Sequence, residues 1–160
     1  MSNIYSIDSS SLIDMKFKYP SNVFPTVWDN LSNLVDDGRL ISPKAVYNEL
    51  KAKSDELYDW AKNHKKMFKT VDDYSVVKNV IKECPWLIDS KKESAIQADP
   101  YVIALVILES TKHKRTMDHY TNPNTHFIVA EDKGLSEAAN KHNINPFKIL
   151  KFFEEENWSF

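Results

Sequence analysis

The sequence predicts an α/β protein with a mainly parallel β-sheet, and three observations support this fold class. Short runs rich in β-forming residues alternate with longer segments of helical periodicity, a pattern typical of parallel strands joined by right-handed crossovers. The 160 residues are the size of one domain and contain 42% hydrophobic and 28% charged residues, as globular proteins do. No repeat, linker or low-complexity segment divides residues 1–160, so we expect one domain.

The first third of the chain predicts two strands and two helices. Residues 4–7 are rich in β-formers and predict a strand that ends at Asp8. Apolar side chains recur at helical spacing over residues 24–35, with proline in the first turn and glycine beyond the end. Residues 39–41 predict a second strand, and a Ser-Pro pair then predicts the start of a helix over residues 42–50.

The middle of the chain predicts helices. Residues 54–97 have helical spacing with no obvious strand, and Pro85 should interrupt the series. Asp99, followed by proline, is typical of a helix start, and residues 101–108 are apolar on every side, which favours a buried helix over a strand. Polar residues 109–125 then predict a loop.

The last third predicts one good strand and two helices. Residues 126–130 give the best strand of this half. Ser136 can cap a helix that runs to residue 142, and Ile144 predicts a brief edge strand. Residues 147–153 then predict a final helix.

Four acidic residues lie where these predicted elements begin or end. Asp8 and Asp132 follow apolar runs, Asp99 opens a helix, and Glu49 lies on the helix after the second strand. Each has an ordinary alternative as a cap, a turn residue or an exposed helix residue, so only their joint placement is informative. Because functional residues gather at the carboxyl ends of parallel strands, the four carboxylates would make an oxygen-rich site for Mg²⁺ or Mn²⁺.

Composition excludes several other kinds of site and limits the partners. Two glycines cannot build a glycine-rich phosphate loop, and Cys84 alone can form neither an internal disulfide nor a cysteine-rich zinc site. With a net charge of −2, nucleic acid would need local basic patches, although charge runs are usually solvated faces. The candidates in two such runs are Lys65, Lys66, Lys69, Lys112, Lys114 and Arg115. No signal peptide or membrane-spanning run is apparent, so we expect a cytoplasmic protein without a membrane partner.

Four segments resemble, in the right order, the motifs of PIN-domain proteins: residues 7–13, 41–50, 98–104 and 127–132. Residues 19–20, 23–25 and 152–158 are similar to a particular bacterial and archaeal PIN-like subgroup. The resemblance covers nearly the whole chain. It implies a Rossmann-like three-layer α/β/α sandwich, with the helical middle segment inside it, and metal-dependent hydrolysis of phosphodiester bonds, usually in RNA.

By motif position, the resemblance implies that Asp8, Glu49, Asp99 and Asp132 are catalytic and bind the metal. Ser10 would form a hydrogen bond in the same site. Family members often carry threonine two residues before the fourth acid, where this chain has Ala130. Glu131 adjoins Asp132, and the sequence leaves open which of the two faces the metal.

The resemblance also implies a biological role. Many small family members are VapC-type toxins of toxin–antitoxin pairs, so we expect an endoribonuclease toxin that uses Mg²⁺ or Mn²⁺ and binds a protein antitoxin. Its metal-activated water would leave a 3′-hydroxyl and a 5′-phosphate. Two alternatives stay open: a catalytically degenerate module that binds RNA or protein, and a structure-specific DNA nuclease. The oligomeric state is open between a monomer and a homodimer.

Overall fold

The computed structural model describes residues 2–89, 97–114 and 125–160. The strands in this part of the chain are β1 (Asn3–Ile7), β2 (Leu40–Pro43), β3 (Phe68–Lys69), β4 (Thr125–Val129) and β5 (Asn145–Phe147). The α-helices are α1 (Ser9–Lys18), α2 (Pro25–Asp36), α3 (Lys44–Lys53), α4 (Glu56–Lys62), α5 (Tyr74–Glu83), α6 (Asp99–Lys114), α7 (Lys133–Lys141) and α8 (Ile149–Glu155). Short 3₁₀ turns lie at Lys65–Met67 and Pro85–Leu87.

The strands form one parallel sheet in the order β3-β2-β1-β4-β5. The central pair, β1 and β4, is in register from Asn3 opposite Thr125 to Ile7 opposite Val129. Parallel neighbours need crossover connections, and helices supply them on the faces of the sheet. The fold is therefore the predicted α/β type, a three-layer α/β/α sandwich.

The central strand β1 is buried on both faces. Tyr5, Ser6 and Ile7 have no exposed surface, as expected for a parallel strand covered by helices on each side. The Tyr5 hydroxyl donates a hydrogen bond of 2.5 Å to Glu156, which also accepts from Arg39 at 2.5 Å. Burial of Tyr5, followed by its contact with Glu156, raises the pKa of its hydroxyl group. This buried polar group ties the sheet to the chain that follows α8.

Several predicted boundaries are confirmed by their local chemistry. β1 ends directly before Asp8. α2 ends before Gly38, whose φ of 72° is a conformation that glycine adopts at little cost. α5 ends at Glu83, so Pro85 does interrupt the helical series, because proline lacks the N–H that the next turn would use.

Several predictions about the elements are wrong. Ser42 and Pro43, predicted to start a helix, belong to β2, and α3 begins at Lys44. Residues 54–97 do contain a strand, β3, which is only two residues long and is fixed by pairing Phe68 with Ser42 of β2. α7 is capped by Asp132 and begins at Lys133, whereas the prediction placed its cap at Ser136. α6 runs on to Lys114, so the first six residues of the predicted loop are helical, and the loop beyond them lies outside the described residues.

Neither α6 nor any other helix in the described ranges has the length and apolarity needed to cross a bilayer. α6 is the most apolar of them at its start, where Val102 to Val106 are all buried. Its 16 residues cover the sheet and end in a polar segment. The apolar octet of the sequence is therefore a core helix.

Candidate metal centre

The strand order places a topological switch point between β1 and β4. From β1 the chain builds outward to β2 and β3, and then returns to place β4 and β5 on the other side of β1. Connections leave the two central strands in opposite directions, which opens a crevice at their carboxyl ends. Asp8 follows β1 and Asp132 comes three residues after the end of β4, so both lie at this crevice.

Asp8 is an almost completely buried carboxyl group, with 1% of its surface exposed. Its Oδ1 caps α1 by accepting a hydrogen bond from the Ser11 backbone N–H at 2.9 Å. Burial raises the pKa of Asp8 from 3.8 to about 6; the hydrogen bonds from Ser11 oppose this rise and the negative charge of Asp132 adds to it. A cation at this place would oppose the rise, because a positive charge stabilises the ionised carboxylate.

Of the two adjacent acids after β4, Asp132 is the one that interacts with Asp8. Its exposed side chain caps α7, with Oδ2 accepting from the Leu135 N–H at 2.8 Å. Glu131 faces elsewhere, because its Oε1 accepts from the Ile149 N–H at 2.9 Å and so caps α8. Of the two acids, Asp132 is therefore the one on the Asp8 side, and Glu131 is directed towards α8.

Glu49 is brought to the start of α1 by a serine that sequence analysis overlooked. Its Oε1 accepts a hydrogen bond of 2.7 Å from the Ser9 hydroxyl, and Ser9 directly follows Asp8. Ser11 is also engaged, because its hydroxyl donates to the Val129 carbonyl at 3.2 Å. Ser10, the predicted partner, is exposed in the first turn of α1. The run of three serines signals such contacts without telling which serine makes them.

Asp99 is half-buried in the first turn of α6. The buried hydroxyl of Ser6 donates to the Val102 carbonyl at 3.3 Å, which sets the start of α6 against β1 close to Asp8. Across residues 2–89, 97–114 and 125–160, no three His, Cys, Asp or Glu side chains are near enough to hold a metal together. Asp132 is near enough to Asp8 for its charge to raise the pKa of Asp8, and Glu49 and Asp99 lie on adjoining elements.

Trp86 supports the segment that carries Asp132, a contact that the sequence did not indicate. Its indole N–H donates to the Gly134 carbonyl at 2.8 Å, and 47% of the side chain stays exposed. A Cβ at Gly134 would lie 3.2 Å from Oδ2 of Asp132 and 3.3 Å from Cδ1 of Trp86. A larger residue at position 134 would therefore require Asp132 or Trp86 to move by a few tenths of an ångström. Trp86 presents an aromatic surface beside the crevice.

Some of the predicted basic residues form ion pairs with carboxylates and others do not. Lys66 is paired with Asp36 at 2.6 Å and Lys112 with Glu109 at 3.6 Å. Lys65 is exposed and pairs with no carboxylate of the described residues. The other three are Lys69, which is exposed on β3, and Lys114 and Arg115, whose side chains lie outside the described part of the chain.

A family model described as "Domain of unknown function (DUF4411)" matches residues 5–160. The chain belongs to the DUF4411 family. The match covers all four acids and the strands that position them. No curated protein and no solved structure matches the chain.

The donor set of this DUF4411 chain fits a hard divalent cation. Asp8 and Asp132 offer only oxygen atoms, which Mg²⁺ and Mn²⁺ prefer. Proteins commonly hold Mg²⁺ through one or two carboxylates, with water and substrate phosphate completing the coordination. The raised pKa of Asp8 points the same way, because its carboxyl group lacks a cationic partner within the described residues.

Proposed function

We propose that this DUF4411 protein is a Mg²⁺- or Mn²⁺-dependent endoribonuclease, with Asp8 and Asp132 as metal ligands. One observation carries the proposal: a buried acid at the switch point has a pKa raised by burial, and the charge of a second acid at the same edge adds to the rise. Capping α1 does not require a carboxyl group, because asparagine or serine caps equally well without a buried charge. A bound cation would explain why the buried cap is an acid rather than an uncharged residue.

The other residues of the site would position groups around the cation. Glu49, held by Ser9 at 2.7 Å, would orient or deprotonate a water molecule next to Asp8. Asp99 adds negative charge from the first turn of α6, where the helix dipole stabilises it. When bound, the cation would polarise the phosphate and lower the pKa of a bound water molecule.

Cleavage of a labelled single-stranded RNA in Mn²⁺, with and without EDTA, tests the proposal. We expect the protein to cleave RNA, EDTA to abolish cleavage, and Asp8→Asn and Asp99→Asn each to slow it by about 100-fold or more, since metal and charge stabilisation are worth several kcal/mol. A single-stranded DNA of the same sequence tests the choice of substrate, because metal-assisted hydrolysis does not itself need a 2′-hydroxyl.

Three results would contradict the proposal. Equal cleavage by the protein and both variants would mean that the acids at the switch point are not the site. Absence of cleavage with either metal, together with RNA binding, would favour a binding module that has lost catalysis. Faster cleavage of the DNA than of the RNA would indicate a DNA nuclease instead of an endoribonuclease.

The role as a toxin is the second part of the proposal, and it rests on the PIN-like motifs. An endoribonuclease of this kind would arrest growth when expressed in bacteria, and a small neighbouring reading frame would encode an antitoxin that relieves the arrest. Expression of the protein and of Asp8→Asn compares the two directly. Arrest by both forms, or by neither, would contradict a toxin that acts through this site.

A further inference from the structure

A groove of about 600 Å³ lies beside α3 at the carboxyl ends of β2 and β3. Its walls combine basic and aromatic side chains, chiefly Lys44, Lys51, Lys65, Tyr47, Tyr58 and Phe68. The three lysines reach it from different places: two lie on α3 and the third on the 3₁₀ turn before β3. The groove is therefore a feature of the fold rather than a run of lysines in sequence.

The lysines of this groove have charges that the protein leaves unpaired. In the described ranges, no ion pair involves Lys44, Lys51 or Lys65. Lys66, next in sequence to one of them, is instead paired with Asp36 at 2.6 Å. Three uncompensated positive charges around one groove make it complementary to an anionic ligand of extended shape.

The aromatic walls are arranged so that ring faces and edges border the groove. Tyr47 contacts both of the other rings, at 5.6 Å from Tyr58 and 5.1 Å from Phe68, in T-shaped arrangements. The Lys65 ammonium group is 6.0 Å from the Tyr47 ring. All three rings are half-buried, so they are held in place while part of each stays available to a ligand. Unpaired bases stack on rings of this kind.

Helix α3 links the groove to the acids. Lys44, Tyr47 and Lys51 share one face of the helix, at spacings of three and four residues. Glu49 lies on a different face of the same helix and accepts from Ser9 at 2.7 Å, next to Asp8. The groove and the acid that contacts Ser9 therefore belong to the same helix, which follows the carboxyl end of β2.

We propose that this groove binds a single-stranded polynucleotide, with phosphates at Lys44, Lys51 and Lys65 and bases against Tyr47 and its neighbours. The proposal deepens the proposed function and rests on it for the chemical class of ligand. A duplex is disfavoured, because paired bases cannot stack on protein rings. In this proposal the groove binds the substrate, and the acidic residues at the switch point catalyse its cleavage.

Anisotropy of a fluorescent oligouridine of about 12 nucleotides, measured in EDTA, tests the groove without cleavage. The Lys51→Ala/Lys65→Ala variant should bind about 10-fold more weakly. The slope of log affinity against log salt concentration should also be less negative by about 1.4, because each lost phosphate contact changes that slope by about 0.7. These side chains are exposed, so folding should be unchanged by circular dichroism.

Lys78→Ala/Lys82→Ala is the matched control. It removes the same charge from exposed positions on α5, and Lys78 lies 5.5 Å from the Tyr74 ring much as Lys65 lies over Tyr47. The control should bind RNA as the unchanged protein does. The contribution of the aromatic rings is tested by comparing Tyr58→Leu, in the groove, with Tyr74→Leu, on α5. Only Tyr58→Leu should weaken RNA binding.

The outcomes separate the groove from the nuclease. Cleavage in Mn²⁺ with unchanged affinity in the groove variants would overturn the groove and leave the nuclease. Groove-dependent RNA binding without cleavage would support the groove and overturn the nuclease. Equal weakening in both lysine pairs would overturn the groove, because net charge alone would then explain binding. Tighter binding of polyglutamate than of RNA would overturn it in favour of an acidic peptide.

Discussion

At the scale of single residues, Asp8 is both a helix cap and a buried acid, and only the second property depends on its charge. As a cap it needs only an oxygen atom that accepts from the Ser11 N–H at 2.9 Å. As an ionised group it lies where burial, and then the charge of Asp132, oppose ionisation. In the absence of metal, the charge therefore destabilises the fold, and substitutions can separate the charge from the cap.

We predict that Asp8→Asn stabilises the metal-free protein at neutral pH. The folded pKa of about 6 lies above 3.8, so between these values the folded state binds more protons and its stability falls as pH rises. Ionisation of Asp8 in the folded state therefore lowers the free energy of unfolding by about 3 kcal/mol between acidic and neutral pH. Urea unfolding in EDTA at about pH 4 and pH 7 measures it, and asparagine should flatten the pH dependence. Identical pH dependence in both proteins would contradict the prediction.

Ser9 is a positioning residue, since its hydroxyl holds the Glu49 carboxylate. We predict that Ser9→Ala slows RNA cleavage by about 10- to 100-fold, the usual cost of losing such a supporting hydrogen bond. The loss should appear in kcat more than in KM, because the groove still binds RNA. Ser10→Ala is the control, and a loss as large there would show that position in the helix, rather than contact with Glu49, matters.

At the scale of elements, the site depends on where helices begin. Asp8 caps α1, Asp132 caps α7 and Asp99 lies in the first turn of α6. Helix N-termini carry unsatisfied N–H groups and partial positive charge, so they attract acidic caps. The same acids are therefore available to a ligand at the edge of the sheet, and cap and ligand functions overlap in the same residues.

We predict that Asp132→Ala lowers the free energy of unfolding by about 1 kcal/mol through loss of the α7 cap, whereas Asp132→Asn retains most of that stability. Both variants should lose RNA cleavage. Asp73→Ala is the control, because Asp73 caps α5 with a bond of 3.1 Å from Ser75 N–H and lies outside the site. Equal loss of cleavage in the Asp73 variant would attribute the effect to stability alone.

At the scale of the whole molecule, periodicity and caps predicted most of the fold but not its non-local parts. β1 and α2 were predictable because apolar spacing, Pro25 and Gly38 lie within the segments themselves. β3 was not, because a two-residue strand exists only through its pairing with β2. The start of α7 was misplaced because Ser136 and Asp132 are both good caps, and packing chooses between them.

The candidate site shows the same limit. The motifs indicated four acids, and strand order explains why Asp8 and Asp132 meet. Sequence could not separate Asp132 from Glu131, because the bond from Glu131 to the Ile149 N–H joins residues 18 positions apart. Nor could it assemble the groove, whose lysines come from α3 and from the turn before β3.

A Mn²⁺ titration, followed by the electron paramagnetic resonance signal of free Mn²⁺, tests the central claim most directly. The account predicts that the protein binds Mn²⁺ and that Asp8→Asn and Asp132→Asn each weaken binding by about 10-fold or more. Glu131→Gln should bind Mn²⁺ as the unchanged protein does, because Glu131 faces α8. Equal Mn²⁺ affinity in the protein and in Asp8→Asn would contradict the account.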